Sequence, residues 1–370
     1  MTTAHINAIG TAVPPHQVHD AFMGYVHGWL DGRDRKLFNR MAGRAGIEQR
    51  YSFVEAHQFA DGSVSDSENF FGSGAWPSTG ERMARYERWA PQLALEAIAA
   101  LDGDIADARI THLVVASCTG FVAPGIDQLI VAATDIDPSV ERTVVGFMGC
   151  YAAVNSLRLA HHIVRSEPTA RVLVVSVELC TLHFQRTTDL EKILSMMLFG
   201  DGAAAAIVTA EDSGIALTDF RASTIAGSGE SISWRIGDQG FDMVLDGQVP
   251  TLIADALAQE RGRSDADGLL RGVAPEDFGL WAVHAGGRSV LDAVEKGLEL
   301  PADALENSRD ILRRFGNISS ATLLFVLQAM LTQRAGERRR ANGSGLPPES
   351  GMAMAFGPGL AAETFRFRML

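Results

Sequence analysis

Cysteine is scarce in this sequence: three thiols in 370 residues, an odd count. Cys118, Cys150 and Cys180 form no Cys-x-x-Cys pair, and Met1–Pro15 shows no basic stretch leading into an apolar run. No secretory leader and no disulfide framework are expected, and reduced thiols in the cytoplasm are. No His/Cys cluster has metal-ligand spacing. His161 and His162 are adjacent, and adjacent helical residues point in different directions. Positive charge is in deficit, with 32 Lys+Arg against 45 Asp+Glu and a net charge of −13. A nucleic-acid binder needs a basic face, so that class is not expected. No uninterrupted apolar run approaches the ~18 residues of a membrane span. Phosphate-loop, dinucleotide-fingerprint and Gly-x-Ser-x-Gly patterns are also missing, so nothing argues for ATP, NAD or serine-hydrolase chemistry.

What remains is a large, apolar, layered protein. The chain is 46% hydrophobic, enough for two domains or one two-lobed α/β unit. Ile6–Ile9 reads as a strand and Arg35–Arg44 as a helix, followed by an irregular polar stretch over 52–80. Leu93–Leu101 reads as a helix and His112–Ala116 as a strand. Thr143–Phe147 reads as a strand that runs through Met148-Gly149-Cys150 into a helix from Tyr151. Arg171–Val177 and Ala203–Thr209 are continuous apolar runs, as strands covered on both faces should be. From about residue 216 the pattern resumes, with strands at Trp281–His284, Met352–Phe356 and Thr364–Arg368 and helices after Gly287 and from Ser319. Two α/β halves, 1–215 and 216–370, are expected.

Three positions stand out for chemistry. Cys150 sits where a buried strand turns into a helix, where the helix dipole and free N–H groups favour thiolate, the reactive form. A lone cysteine is otherwise often a small core residue. His284 ends a strand before Gly286-Gly287, placed to stabilise a thiolate or to donate to a carbonyl. Asn317 precedes a helix, where an N-cap is the ordinary role of asparagine. Strand ends and helix starts are where α/β folds carry their sites.

The motifs around these residues resemble those of the type III polyketide synthases, the family that includes chalcone synthase. The matching segments are GFMGCYAAVNSLRLA around Cys150, LFGDGAAAAIV at 198–208, WAVHAGGRSVLDAVEKGLEL at 281–300, FGNISSATLLFVL at 315–327 and AFGPGL at 355–360. They occur in order along nearly the whole chain. The resemblance implies a thiolase-like fold of two fused halves in five αβαβα layers, and a homodimer. It implies a Cys150–His284–Asn317 triad that condenses malonyl-CoA onto an acyl-CoA starter. No metal or redox cofactor is implied, with coenzyme A thioesters as substrates only.

Further positions follow from the same resemblance. Phe199 and Met243 match the two gatekeepers at the mouth of the cavity, with Phe241 on the strand face of Met243 and able to substitute for it. Cys118, Thr119, Cys180, His183 and Ser319 match cavity-lining positions. Cys118 and Cys180 are expected to make that cavity more apolar, and His183 to narrow it or assist cyclisation. Arg40 and Arg44, with Lys36 on the same helical face, and the Gly286-Gly287 turn match the coenzyme A site. These departures from the plant pattern point to an aliphatic starter and an alkylpyrone or alkylresorcinol product. Two alternatives stay open: a β-ketoacyl-acyl-carrier-protein synthase III-like enzyme, and an inactive thiolase-fold binding protein.

Overall fold

The computed structural model describes residues 2–58, 64–72, 76–101, 105–225, 227–340 and 347–370. The chain opens with β1 (Ala4–Ala12), β2 (His16–Gln17), α1 (His19–His27), α2 (Gly32–Ala42) and β3 (Tyr51–Ser52). Next come β4 (Ala56–Gln58), β5 (Val64–Asp66) and α3 (Thr79–Ala99). The Cys-bearing region consists of β6 (His112–Ser117), α4 (Ile126–Ala133), β7 (Glu141–Gly146) and α5 (Ala152–Ser166). Then follow β8 (Val172–Leu179), α6 (Leu190–Leu198), β9 (Asp201–Thr209), β10 (Ile215–Thr224), β11 (Ile232–Gly237), β12 (Gly240–Leu245) and α7 (Val249–Arg261). The last elements are β13 (Leu280–Val283), α8 (Arg288–Leu298), α9 (Glu306–Phe315), α10 (Thr322–Arg340), β14 (Glu349–Gly357) and β15 (Ala361–Met369).

Nine strands hydrogen-bond in the order β13-β14-β15-β10-β1-β9-β8-β6-β7. β1 joins the two halves: Ala4–Ile6 pairs with β10, His5–Ala12 pairs with β9, and the latter register shifts between Ile6 and Ala8. Side chains alternate across the sheet, as the two-residue period of a strand demands. Val172 and Val174 of β8 face a central core that also holds Ala353 and Ala355 of β14 and Phe365 of β15. Leu173, Val175 and Val177 face the opposite way, onto α3. Met352, Met354 and Phe356 face α7 and α8. The central core contains α5 and the first half of α10. The layers therefore run α3/α4, sheet, α5/α10, sheet, α7/α8, the expected αβαβα arrangement.

This position explains two helical sequences. In α5, Ala153, Leu157, Ala160 and Val164 recur at helical spacing and are fully buried. In α10, the unbroken run Leu323–Leu327 is buried all round, because protein covers it on both sides. Beyond it the helix turns polar and ends on Arg338–Arg340, where cations suit the negative end of the dipole.

Some local expectations change. The stretch expected to be irregular holds β3 and the β4–β5 pair. There the buried Asp66 carboxylate accepts from the Phe70 and Phe71 amides at 2.6 and 2.7 Å. α2 stops at Ala42, capped by Gly43, and Gly46 turns the chain at φ +73°. Arg44 therefore lies in the turn after the helix and does not share a helical face with Lys36 and Arg40. The strand before Cys150 ends at Gly146, with Phe147 at φ +57°, and a 3₁₀ turn over Gly149–Tyr151 precedes α5. Among the described residues no helix is long and apolar enough to cross a membrane.

The turn that presents Cys150 depends on Gly149, which sits at φ +73° with the Pro358 ring where a side chain would go. Gly149→Ala should therefore destabilise the fold by about 1–3 kcal/mol through backbone strain alone, with an added steric clash. A lowered melting temperature and slower alkylation of Cys150 are expected. Wild-type values for both would contradict this role.

Candidate active site

Loops from both halves carry the three singled-out residues into one place. Cys150 lies in the 3₁₀ turn between β7 and α5. The Gly357-Pro358-Gly359 turn packs against it, and Tyr151 Oη donates to the Pro358 carbonyl at 3.2 Å. His284 follows β13, its amide bonded to Met354 of β14 at 2.8 Å. Asn317 follows α9 and pairs backbone to backbone with the segment after α6. Its N–H donates to Leu198 O at 2.8 Å, and Gly200 N–H donates to its carbonyl at 3.0 Å.

The carboxamide of Asn317 has a fixed orientation. Its oxygen accepts the Ser319 amide at 2.8 Å, which is the capping role. Its nitrogen donates to Gly286 O at 3.2 Å, and the amide also hydrogen-bonds the Cys150 thiol. The asparagine is therefore a cap and a donor at once. His284 is 2% exposed, and neither ring nitrogen has a hydrogen-bond partner. Unpartnered buried polar atoms are costly, and such atoms in a pocket invite a ligand.

Burial drives the two titrating groups in opposite directions. It pushes the Cys150 thiol up to about 11, against the lowering pull of Ser319 and Asn317. It pushes the His284 imidazole down to about 3. The thiolate expected from the helix start is therefore not the resting form favoured here: desolvation outweighs the helix end, since α5 itself begins only at Ala152. Cys150 is only half-buried, which softens its penalty. Moving the thiol proton to the free imidazole nitrogen would create two charges that relieve each other.

All three cysteines of the chain converge here. The Ser319 hydroxyl lies 3.1 Å from Cys118 Sγ and 3.7 Å from Cys150 Sγ. Burial and the nearby Glu178 carboxylate raise both Cys118 and Cys180 well above the ordinary thiol range, so both stay protonated. Glu178 was not foreseen from the sequence. It is the penultimate residue of β8, fully buried, and accepts from the Cys118 amide at 3.1 Å, from the Cys118 thiol at 3.3 Å, from Thr119 Oγ1 at 2.7 Å and from Ser320. Cys118 therefore sits in a polar network and does not make the cavity more apolar.

The main apolar recess is lined by Phe199, Cys180, His183, Trp234, Phe241 and Met243, and runs on to Phe22 and Tyr25 of α1. Cys150, His284 and Asn317 do not line it, but Cys180 and Phe199 border both regions. Phe241 and Met243 share a face of β12, and Met243 pairs across the hairpin with Trp234. His183 uses both ring nitrogens: one meets Thr119 O at 2.7 Å, and the other accepts the Phe241 amide at 3.0 Å. It has no free nitrogen for proton transfer, so the expected help in cyclisation is withdrawn. Buried Arg50, also unforeseen, holds the gate from behind, donating to Phe199 O at 2.7 Å and Met196 O at 3.1 Å. Neither Arg50 nor Glu178 stands in any motif, and buried charge is not legible from a local pattern.

Lys36, Arg40 and Arg44 are exposed. Arg288, at the start of α8 beside Gly286-Gly287, donates to Arg44 O at 3.3 Å and brings a further cation to that surface. Among the described residues no group of three or more His, Cys, Asp or Glu could hold a metal ion.

Comparison with known proteins gives a consistent picture. The N-terminal domain of chalcone and stilbene synthases matches residues 1–212, and their C-terminal domain matches residues 219–370. Bisdemethoxycurcumin synthase of Oryza sativa is 33% identical, with 97% of this chain and 91% of that protein covered. The 1,3,6,8-tetrahydroxynaphthalene synthase of Streptomyces peucetius is 31% identical over the same shares. Pks18 of Mycobacterium tuberculosis, named for α-pyrone synthesis, is 32% identical over 71% of this chain and 66% of that protein. Among solved structures, PKS-I of the brown alga Ectocarpus siliculosus superposes with a TM-score of 0.84 at 25% identity, covering 100% of this chain and 99% of that one. The type III polyketide synthase domain of Steely1 from Dictyostelium gives 0.82 at 22% identity, with 99% of each chain covered, a likeness of fold.

If the imidazole is the acceptor of the thiol proton, His284→Gln should slow iodoacetamide labelling of Cys150 at pH 7 by threefold or more. The sign follows from burial: without its acceptor the thiol titrates alone at a raised pKa, so the midpoint of the labelling profile should move to higher pH. An unchanged midpoint would contradict the assignment.

Proposed function

We propose a reaction course for this chain, which belongs to the chalcone and stilbene synthase family and is a type III polyketide synthase with the thiolase-like fold. The observation that carries it is the meeting of a half-buried thiol, a carboxamide fixed to donate toward it, and a buried imidazole with both nitrogens free. In loading, the Cys150 thiol gives its proton to His284 and its sulfur attacks the carbonyl carbon of an acyl-CoA starter. A carbon–sulfur bond forms, the bond to coenzyme A breaks, and the departing sulfur takes the proton from His284. Acyl-Cys150 and free coenzyme A result.

Extension then uses malonyl-CoA. Its carbon–carboxylate bond breaks, carbon dioxide leaves, and the electron pair becomes an enolate whose oxygen carries the charge. The Asn317 amide and the His284 N–H donate to that oxygen. One such donor is typically worth about 3–4 kcal/mol, or 10²–10³ in rate. The enolate carbon attacks the acyl-Cys150 carbonyl, a carbon–carbon bond forms, and the cysteine sulfur leaves. The lengthened β-ketoacyl thioester returns to Cys150 for another round and finally cyclises. This course calls on no metal or redox group, because malonyl-CoA supplies its own carbanion.

The apolar recess from Phe199 and Met243 to α1 supports an aliphatic starter and, with it, an alkylpyrone or alkylresorcinol product. Arg40, Arg44, Lys36 and Arg288 give coenzyme A phosphates a cationic surface on an otherwise acidic protein. The reading keeps the enzyme in the cytoplasm, beside coenzyme A thioesters and reduced thiols. A homodimer belongs to it as well. Strand β7 is one edge of the sheet and largely exposed, with Val144 57% exposed, and near it Phe147, just past its end, and Phe121, in the loop after β6, are 38% and 56% exposed. An exposed apolar sheet edge is a pairing template, and a second copy of this chain is the occupant proposed.

With an acyl-CoA and malonyl-CoA, the enzyme should make pyrones of more than one extension. Asn317→Ala should keep starter loading within a few-fold while decarboxylation falls by 10²–10³. A single-extension product made only from malonyl-carrier protein, or equal loss of both steps in the variant, would overturn the reading. Val144→Glu should convert a dimer into a monomer in light-scattering chromatography, and an unchanged mass would remove β7 from the interface.

A further inference from the structure

We infer that Arg50 is a positioning residue for the decarboxylation step: it holds the backbone on which the Asn317 carboxamide is aimed. This rests on the proposed reaction and adds to it a residue remote from the reacting atoms. Arg50 is 2% exposed, and its guanidinium fork meets two helices at once. Its Nη1 donates to Phe199 O at 2.7 Å and to Met196 O at 3.1 Å. Both carbonyls stand at the C-terminal end of α6, where a helix leaves acceptors free and a cation is favoured. Its Nε donates to His19 Nδ1 at 3.1 Å, at the start of α1, and its guanidinium lies 4.6 Å from the centre of the Phe22 ring. That bond needs an unprotonated Nδ1, and burial together with the Arg50 charge lowers the His19 imidazole to about 4.

The link to Asn317 runs through the backbone. Asn317 pairs with Leu198 and Gly200, the two neighbours of Phe199. Arg50 grips the same stretch from its other side, through Met196 and Phe199. The stem of Arg50 packs against both paired segments. A Cβ on Gly316 would stand 2.9 Å from Arg50 Cγ, and one on Gly200 would stand 3.4 Å from Arg50 Cβ. Gly316, at φ +71°, ends α9 and leads directly into Asn317. Arg50 is therefore the wall against which the pairing of Asn317 is set. A donor displaced by about 1 Å can lose 10²-fold in rate.

Stability alone does not account for a cation here. Burial lowers Arg50 to about 10, which leaves it charged at neutral pH, and Nη2 has no hydrogen-bond partner among the described residues. Burial also raises the Asp201 carboxyl, the counter-charge it senses, to about 7. A buried ion pair of this kind is commonly replaceable by apolar side chains at little cost in stability. A methionine at 50 could fill the volume, but it could donate to neither α6 nor α1.

The test compares wild type, Arg50→Met, Asn317→Ala and the double variant in two separate assays. One follows acyl transfer from a starter acyl-CoA to Cys150 by quenched mass spectrometry. The other follows carbon dioxide release from malonyl-CoA, with kcat and KM. In Arg50→Met, kcat for decarboxylation should fall about tenfold or more, while KM for malonyl-CoA and the loading rate stay within about threefold of wild type. The double variant should be within about twofold of Asn317→Ala, because the donor that Arg50 positions is already gone. Unchanged decarboxylation, equal loss of loading and decarboxylation, or independent losses that multiply in the double variant would each overturn the inference. If Arg50→Met does not fold, Arg50→Lys, which keeps the charge without the fork, takes its place under the same criteria, with a fall of about threefold or more. A wild-type enzyme that releases no carbon dioxide from malonyl-CoA would fail the proposed reaction itself. Active wild type with decarboxylation indifferent to Arg50 fails this inference alone.

Discussion

The backbone of Asn317 is where the working parts of this molecule are fastened together. Its N–H and carbonyl pair with Leu198 and Gly200 around the gate residue Phe199. Its side chain caps the turn into α10, holds the Gly286 carbonyl and reaches Cys150. One residue thus joins a loop of the second half to the gate and nucleophile of the first. The amide orientation follows from the bonding, since its oxygen is occupied by the Ser319 N–H. A cap, the ordinary role of an asparagine before a helix, is what makes the donor role geometrically definite.

Around that fastening, the cost of burying charge governs the chemistry. Burial, reinforced by Glu178, keeps Cys118 and Cys180 protonated, so two of the three neighbouring thiols are poor nucleophiles. Cys150 is also raised, but it alone among the three is half-buried and in contact with Asn317, which is bonded to Gly286 two residues after the unpartnered His284 imidazole. Selectivity among three nearby sulfurs thus comes from solvent access and proton-accepting neighbours, not from cysteine chemistry as such.

Much of this was legible along the chain. Arg171–Val177 and Ala203–Thr209 read as strands covered on both faces, and the strands found there, Val172–Leu179 and Asp201–Thr209, are buried throughout. The Gly-Cys junction, the His before Gly-Gly and the Asn before a helix were each singled out, and the fold brings them together. The Gly-Pro-Gly segment, a turn signal in isolation, packs on the nucleophile turn. What was not legible depends on distant partners. Glu178 sits in an apolar run and looks like any strand residue until its hydroxyl and thiol donors arrive from two other segments, 117–119 and Ser320. Arg50 and Trp234 act through backbone carbonyls remote in sequence, Trp234 through that of Cys118. His183 could be read as a proton carrier only while its two bonds were unknown. The helix-end argument for a Cys150 thiolate missed the desolvation that opposes it.

The account stands on acyl transfer to one particular sulfur. Brief incubation with an acyl-CoA starter, acid quench and peptide mass spectrometry measure that directly. The account predicts one acyl group per chain, on the peptide carrying Cys150, with one equivalent of coenzyme A released and no label on Cys118 or Cys180. Acylation of either of those cysteines in preference, or release of coenzyme A with no acyl-enzyme at any time point, would contradict it.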